Sequence, residues 1–262
     1  MKRSALSGRL AQWTQRSKPT RRGGSFVAVE EAGRKLEYLT ETDIFSPLSP
    51  DERSWLMHNT TMVTCERGRV FYSPGDPGEV VFILKRGKVD LYRLTNDGRK
   101  LVIATLGPHT IFGEMGLIGQ RMYGCFAEAV EDCLLCILSR SDMKSLARRN
   151  PEVALLMLAE VERRLQDREA ELEAIAFHGL PMRLATLLLR EAGDLGTVDG
   201  YTHQDLAERL GTHRETVSSI LGKFRSQALI STEAKRICLL DADRLRAIAE
   251  PASDHGDNHS GH

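Results

Sequence analysis

The sequence predicts an α+β chain: a small antiparallel β-barrel or sandwich, then one long helix, then a small domain of short helices closed by a β-hairpin. Three observations predict it. Residues 61–138 set short β-branched and aromatic runs between closely spaced turns, the pattern of a small all-β domain. From Pro151 the apolar period becomes helical, in PEVALLMLAEVERRLQDREAELEAIAF. From Tyr201, YTHQDLAERLGTHRETVSSILGKFRSQALI sets two short helix signals on either side of a glycine.

Composition bounds what this chain can be. It has 262 residues, 41% of them hydrophobic, which is enough to fill one large core or two small ones and excludes disorder throughout. No run approaches the ~18–20 apolar residues that span a bilayer, so no membrane partner is expected. Lys and Arg number 36 and Asp and Glu 36, so the net charge is zero, which argues against a uniformly basic nucleic-acid binder. The zero is a sum: residues 1–25 carry +7, residues 26–250 carry −5, and residues 251–262 carry −2. The cysteines Cys65, Cys125, Cys133, Cys136 and Cys238 are odd in number and irregular in spacing, unlike a secreted disulfide framework. The N-terminal stretch lacks an apolar signal region, so a cytoplasmic location with reduced thiols is expected.

Each element follows in order. Residues 1–35 are expected to be a basic disordered arm, because Lys2, Arg3, Arg9, Arg16, Lys18, Arg21 and Arg22 lie among few apolar residues. A sensor-sized β domain is expected over 36–150. It opens with short helices, where Thr40 can cap and Ser49-Pro50-Asp51-Glu52 reads as an N-cap followed by proline. VVFILKRGKVDLYRL is two strands around Lys85-Arg86-Gly87-Lys88, and Asn96-Asp97-Gly98 is a hairpin turn. Residues 151–178 are expected to hold a long dimerisation helix of about 26 residues, ~39 Å, and the hinge after it. In that helix Leu158, Val161, Leu165, Arg168, Leu172 and Ile175 are spaced 3-4-3-4-3, a heptad seam that predicts a homodimer. Gly179 and Pro181 then mark a hinge, and 179–250 is the helical domain. Residues 251–262 carry no core formers and are expected to be a disordered tail, with His255, His259 and His262 as weak metal catchers at most.

The helical domain carries the chemistry. Thr202 can cap HQDLAERL with Asp205 at the capping-box position, Gly211 suits a turn needing positive φ, and Thr212 with Glu215 reads as a second capping box. Ala207, Leu210, Val217 and Ile220 let the two helices cross closely. This is a helix-turn-helix, whose second helix enters the DNA major groove by its N-terminal end. Thr202 and Thr212, at the two helix starts, are candidate DNA contacts, and His213, Arg214, Glu215, Ser218 and Ser219 are the candidate readers. Arginine takes guanine O6 and N7 bidentately, and glutamate accepts from cytosine N4. Lys223, further along the helix, is a candidate phosphate contact. STEAKRICLL reads as a wing hairpin with Lys235 and Arg236 near its tip, available for phosphate. Double-stranded DNA is therefore the expected partner.

FSPLSPDE, FYSPGDPGEVVFILKRGKVDLYR, DGRKLVIATLGPHTIFGEMGLIG, the long helix and HQDLAERLGTHRETVSSIL together resemble the cyclic AMP receptor protein/FNR (Crp/Fnr) family of bacterial transcription regulators, over roughly Leu36 to Asp243. The resemblance implies a cyclic-nucleotide-binding-type β-barrel (jelly roll), a dimerisation helix and a winged helix-turn-helix. It also implies a homodimer on pseudo-palindromic DNA that recruits or blocks RNA polymerase. HRETV matches the family's recognition motif, so Arg214 and Glu215 carry over as base readers, while Ser219 stands where a further arginine is usual. In the sensor, Gly113, Glu114 and Met115 match the family's effector-pocket turn. Tyr123 and Gly124 stand where an Arg-Ser pair would hold a cyclic phosphate, and Arg121 lies two residues off. Arg168 and Glu169 stand where a Thr-Ser pair would meet adenine. Without that arginine the phosphate charge is poorly compensated, so gating by cyclic AMP is not expected and the effector stays open. Arg168, the one charge in the seam, is expected either to pair with a neighbour such as Glu171 or to answer an acidic ligand.

Other readings remain beside this one. A cyclic-nucleotide-responsive regulator with an atypical phosphate pocket is one, and a thiol- or redox-responsive regulator is another. Cys133 and Cys136 form a CxxC, but three residues apart on a strand they face opposite ways and read as buried apolar residues. The family's iron–sulfur members carry N-terminal cysteines, and residues 1–60 have none. Gly113 and Met115 stand where a haem ligand would be, and His109 reads as an exposed turn residue. No certain cofactor and no metal site are expected. An enzyme is not expected either: the sequence holds no HExxH, Walker loop or nucleophile elbow.

Overall fold

A computed structural model describes residues 27–28, 42–76, 79–114, 124–233 and 235–250. The chain divides into two compact units at Arg163/Arg164.

In the first unit, β1 (Val27–Ala28) precedes α1 (Pro50–Asn59), β2 (Thr60–Cys65), β3 (Val70–Tyr72), β4 (Val80–Arg86), β5 (Val89–Leu94), β6 (Lys100–Leu106), β7 (Ile111–Phe112), β8 (Phe126–Ala129), β9 (Cys133–Ser139) and α2 (Arg140–Arg149). The strands form two sheets, in the orders β1-β2-β9-β4-β7 and β3-β8-β5-β6. One apolar core lies between them and holds Phe71, Phe82, Phe112, Leu135 and Ile137. The rings of Phe71, Phe82 and Phe112 meet at 4.8–5.3 Å between centroids, close enough for stacked and edge contacts. A second core covers the other face of the five-stranded sheet. There Val81, Ile83 and Leu138 meet Leu56 of α1, Met143 and Leu146 of α2, and Val153. A strand buried on both faces needs apolar residues at every position. That is why β4 opens VVFIL without alternation.

The local punctuation works as the sequence suggests. Ser49 caps α1 through a full capping box: Glu52 N–H donates to Ser49 Oγ at 3.3 Å, and Ser49 N–H donates to Glu52 Oε2 at 2.9 Å. Gly87 turns the β4–β5 hairpin at φ +92°, and a Cβ there would lie 2.5 Å from the Asp132 carbonyl oxygen. Cys133 and Cys136 do face opposite ways, the first into the core between the sheets and the second into the core under the helices. His109 is an exposed turn residue at φ +66°.

One boundary needs correcting. Val27 and Ala28, inside the expected arm, pair antiparallel with Thr64 and Val63. The reading extended a charge argument that holds for 1–25 over SFVAV, an apolar, β-prone run able to add to an open sheet edge. The remaining arm, Thr40, the tail 251–262, and Met115, Arg121 and Tyr123 of the expected effector pocket lie outside the described residues.

The long helix α3 (Pro151–Phe177) runs for 27 residues and crosses the division between the units. In the second unit it leads to α4 (Leu180–Ala192), β10 (Thr197–Asp199), α5 (His203–Leu210), α6 (Arg214–Ser226), β11 (Ile230–Glu233), β12 (Arg236–Leu239) and α7 (Ala242–Ala249). The three strands pair in the order β10-β12-β11. One core joins Leu184 and Leu188 of α4 to Leu206 of α5, Val217 and Phe224 of α6, and Leu245 of α7. Among the described residues, no helix is long and apolar enough to cross a membrane.

Candidate nucleic-acid interface

The crossing of α5 and α6 sets the interface. Thr202 caps α5 through the expected box, with Asp205 N–H donating to Thr202 Oγ1 at 3.2 Å and Thr202 N–H donating to Asp205 Oδ2 at 2.7 Å. Gly211 takes the left-handed conformation at φ +65°. Arg183 of α4 donates to the Leu210 carbonyl at 3.0 Å, which closes the C-terminal end of α5. Ala207, Leu210, Val217 and Ile220 are buried in the crossing, as the spacing implies.

The second capping box does not form. Thr212 N–H donates back to the Ala207 carbonyl at 3.0 Å, so Thr212 finishes α5 rather than starting α6. His213 is the N-cap, its carbonyl accepting from Thr216 N–H and Val217 N–H at 3.1 and 3.2 Å. This puts Glu215 at the second helical position, one short of the third position from which a capping box reaches back. Glu215 is thereby left facing solvent.

The expected readers divide. His213, Arg214, Glu215, Ser219 and Lys223 are exposed, and Arg214 and Glu215 make no hydrogen bond or ion pair with any described residue. Ser218 is not an exposed reader. It is half-buried, and its hydroxyl is 2.7 Å from Nδ1 of His203, so it ties the start of α5 to α6. No local pattern marks this pair, since His203 and Ser218 meet only because the helices cross. Lys235 turns the wing at φ +60° and is exposed. Arg236 is not a free cation: its Nε donates to Asp199 Oδ1 of β10 at 2.6 Å, and this ion pair raises the guanidinium above its ordinary pKa.

These pieces border one cleft of about 520 Å³. Thr202, His203 and Gln204 at the start of α5, Arg214 at the start of α6, and Lys235 and Arg236 of the wing line it. Two helix N-termini therefore open on one concave surface, an arrangement that attracts phosphate through the helix dipoles and unpaired amides. Tyr201 stands at its edge, its hydroxyl donating to Glu191 at 2.6 Å and its ring under the Arg209 guanidinium at 4.7 Å. His203, Gln204, Tyr201 and Thr232 are cleft residues that sequence reasoning missed, because no motif marks them.

On α3 the seam is bare. Leu158, Val161, Leu165, Leu172 and Ile175 are 63, 44, 57, 66 and 52% exposed in the single chain. Arg168 of that seam pairs with Glu171, three residues on, as one of its two expected roles requires.

In the sensor unit, Gly113 turns at φ +80° and Glu114 behind it is half-buried. Gly124 is exposed, with open space where a side chain would project. Burial pushes the Cys125 thiol upward, with Arg93, Glu114 and Tyr72 acting on it as well. Tyr72, Arg93 and Glu114 thus lie around Cys125, a grouping the sequence did not mark. No cluster of three or more metal-ligating side chains occurs among the described residues.

Comparison with known proteins agrees with this geometry. Residues 62–150 match the cyclic nucleotide-binding domain, and residues 182–248 match the Crp-like helix-turn-helix domain. The cyclic AMP receptor protein of Thermus thermophilus is 32% identical over 207 residues, covering 79% of this chain and 96% of that protein. The global nitrogen regulator of Synechococcus elongatus is 33% identical over 186 residues, covering 67% of this chain and 84% of that protein. Among solved structures, FixK2 from Bradyrhizobium japonicum superposes with a TM-score of 0.65 at 25% identity, covering 74% of this chain and 99% of that one. A CRP/FNR-family regulator, also from Thermus thermophilus, gives a TM-score of 0.62 at 28% identity, covering 72% and 98%. A sensor sandwich, a long helix and a winged helix-turn-helix in this order, with relatives matched along most of their length, place the chain in the Crp/Fnr family of DNA-binding transcription regulators.

Proposed function

We propose that the protein acts as a homodimer on a pseudo-palindromic operator, reads it through Arg214 and Glu215, and is not gated by cyclic AMP. The observation that carries the reading is the state of those two side chains, exposed and unpaired at the N-terminal end of α6 beside an open cleft. Arg214 presents a fork for guanine, and Glu215 presents an acceptor for cytosine N4. His213, Ser219, Lys223 and Lys235 contact the flanking backbone and bases.

The bare seam of α3 supports the dimer. Five apolar side chains at heptad spacing form a stripe that a second copy covers with its own. The twofold axis then sets two recognition helices about one DNA turn apart, ~34 Å. The sensor sets the angle of the dimer helices, and through it that spacing. Residues 1–25 add attraction to phosphate by charge alone. The bound dimer, in the cytoplasm, recruits or blocks RNA polymerase.

The loss of gating rests on Tyr123 and Gly124 standing in place of the phosphate-holding Arg-Ser pair. Response to a cyclic nucleotide through an atypical pocket is the second reading. It is favoured by the relative that is itself named a cyclic AMP receptor protein.

Light scattering of the purified chain, then an electrophoretic shift on a palindromic promoter fragment, tests the core of this. A dimer and a sequence-dependent shift without added nucleotide are expected. A thermal-shift screen with cyclic nucleotides and 2-oxoglutarate separates the two readings: no shift with cyclic AMP supports the first, and stabilisation together with tighter DNA binding establishes the second.

A further inference from the structure

We propose that Cys65 and Cys133 are an oxidisable dithiol, at which an oxidant of the peroxide class closes an intramolecular disulfide across β2 and β9. The two residues face each other in the antiparallel register of these strands. Facing residues in such a ladder have Cα atoms ~4.5 or ~5.5 Å apart. A disulfide takes ~4.4–6.8 Å, so either kind of pair accepts the bond without moving backbone. Both side chains emerge into the core between the sheets. Both are free thiols. Cys136 points to the opposite face, and Cys238 has Thr197 and Ser231 as its register partners, so neither competes.

Burial would ordinarily make such thiols inert, and these are only 4 and 2% exposed. Their place in the fold changes this. Cys65 ends β2 and is followed by exposed Glu66 and Arg67, and Cys133 begins β9 and is preceded by exposed Glu131 and Asp132. Each sulfur sits one residue from a solvent-facing turn, and fraying of those turns admits a small oxidant. Gly87 leaves room for the Cys133 sulfur, since a Cβ at that glycine would come within 2.7 Å of it.

Their surroundings divide their roles. The Cys133 sulfur lies 3.3 Å from the Glu131 carbonyl and 3.5 Å from the Lys88 carbonyl, and the Cys65 thiol opposite lowers its pKa, while Cys133 and burial raise that of Cys65. The Cys133 thiolate attacks one oxygen of hydrogen peroxide. The O–O bond breaks, and hydroxide leaves to take up the proton Cys133 released, giving a sulfenic acid and water. The Cys65 sulfur then attacks the Cys133 sulfur. The S–S bond forms, the S–O bond breaks, and the hydroxyl leaves as water with the Cys65 proton. Two thiols and one peroxide become one disulfide and two waters, the sulfurs losing the two electrons that the peroxide gains.

The test uses the full-length chain treated with hydrogen peroxide, then denatured and alkylated. The count of free thiols is expected to fall by two from five. Non-reducing peptide mapping is expected to join the Cys65 peptide to the Cys133 peptide, with reversal by dithiothreitol. In Cys65→Ser the link is lost, and dimedone captures the stranded Cys133 sulfenic acid. In the double variant Cys125→Ser, Cys238→Ser, the loss of two thiols persists. Full retention of thiols, or a link through any other cysteine, overturns the proposal. The map of the unaltered chain decides even if a variant fails to fold.

Discussion

Replacing Arg214 with alanine separates reading DNA from holding the fold. Arg214 is the first residue of α6, is exposed, and has no partner among the described residues. Its removal opens no cavity and strands no buried group, so stability should change by no more than ~0.5 kcal/mol. On DNA the loss is larger. A bidentate arginine–guanine contact is worth ~1–3 kcal/mol, and a dimer makes it once in each half-site. Arg214→Ala should therefore weaken specific binding by ~2–6 kcal/mol, about 30-fold at the low end by the usual conversion. Affinity for unrelated DNA should change far less, because Lys223, Lys235 and the helix N-termini remain. Fluorescence anisotropy on operator and scrambled duplexes, with a thermal melt of the free protein, measures both. Equal loss on both duplexes would make Arg214 a phosphate contact and refute its role as a reader. A large fall in melting temperature would refute the claim that the side chain is structurally idle.

Four other outcomes are expected. Leu165→Glu puts a charge in the bare seam and should weaken dimerisation about 100-fold or more, given ~2–5 kcal/mol for a lost core leucine, as read by analytical ultracentrifugation. Ala228→Gly should stabilise the second unit by ~0.5–1 kcal/mol, because Ala228 holds φ +56° where α6 ends, a position that suits glycine; calorimetry should show its melting rise by a few degrees. Gly87→Ala should cost ~3 kcal/mol or more and cut the soluble yield, since it meets both a positive φ and the Asp132 carbonyl, which cannot yield as a flexible side chain would; urea denaturation measures it. Deleting residues 2–25, which carry seven positive charges, should flatten the salt dependence of DNA binding, and an unchanged slope would remove the arm from the interface.

What the sequence revealed was mostly local. The Ser49 and Thr202 capping boxes, the turns at Gly87 and Gly211, and the seam of α3 depend on residues within a few positions of each other, and each is where its pattern places it. What the sequence left unseen came where distant segments meet. Ser218 reads as a surface serine until the crossing of α5 over α6 brings His203 to it. Arg236 reads as a wing cation until β10 pairs with β12 and supplies Asp199. The facing of Cys65 and Cys133 depends on strands with six other strands between them in the chain, so spacing alone could not reveal it. Thr212 failed for a nearer reason: two helix ends competed for one residue, and the end of α5 took its N–H.

The central claim, that two α6 helices of a homodimer read two half-sites, is tested most directly by hydroxyl-radical footprinting of the full chain on an operator selected from random sequence. The account predicts a twofold-symmetric footprint with half-site centres about 10–10.5 base pairs apart. A single asymmetric protected patch, occupied by one chain, would contradict it.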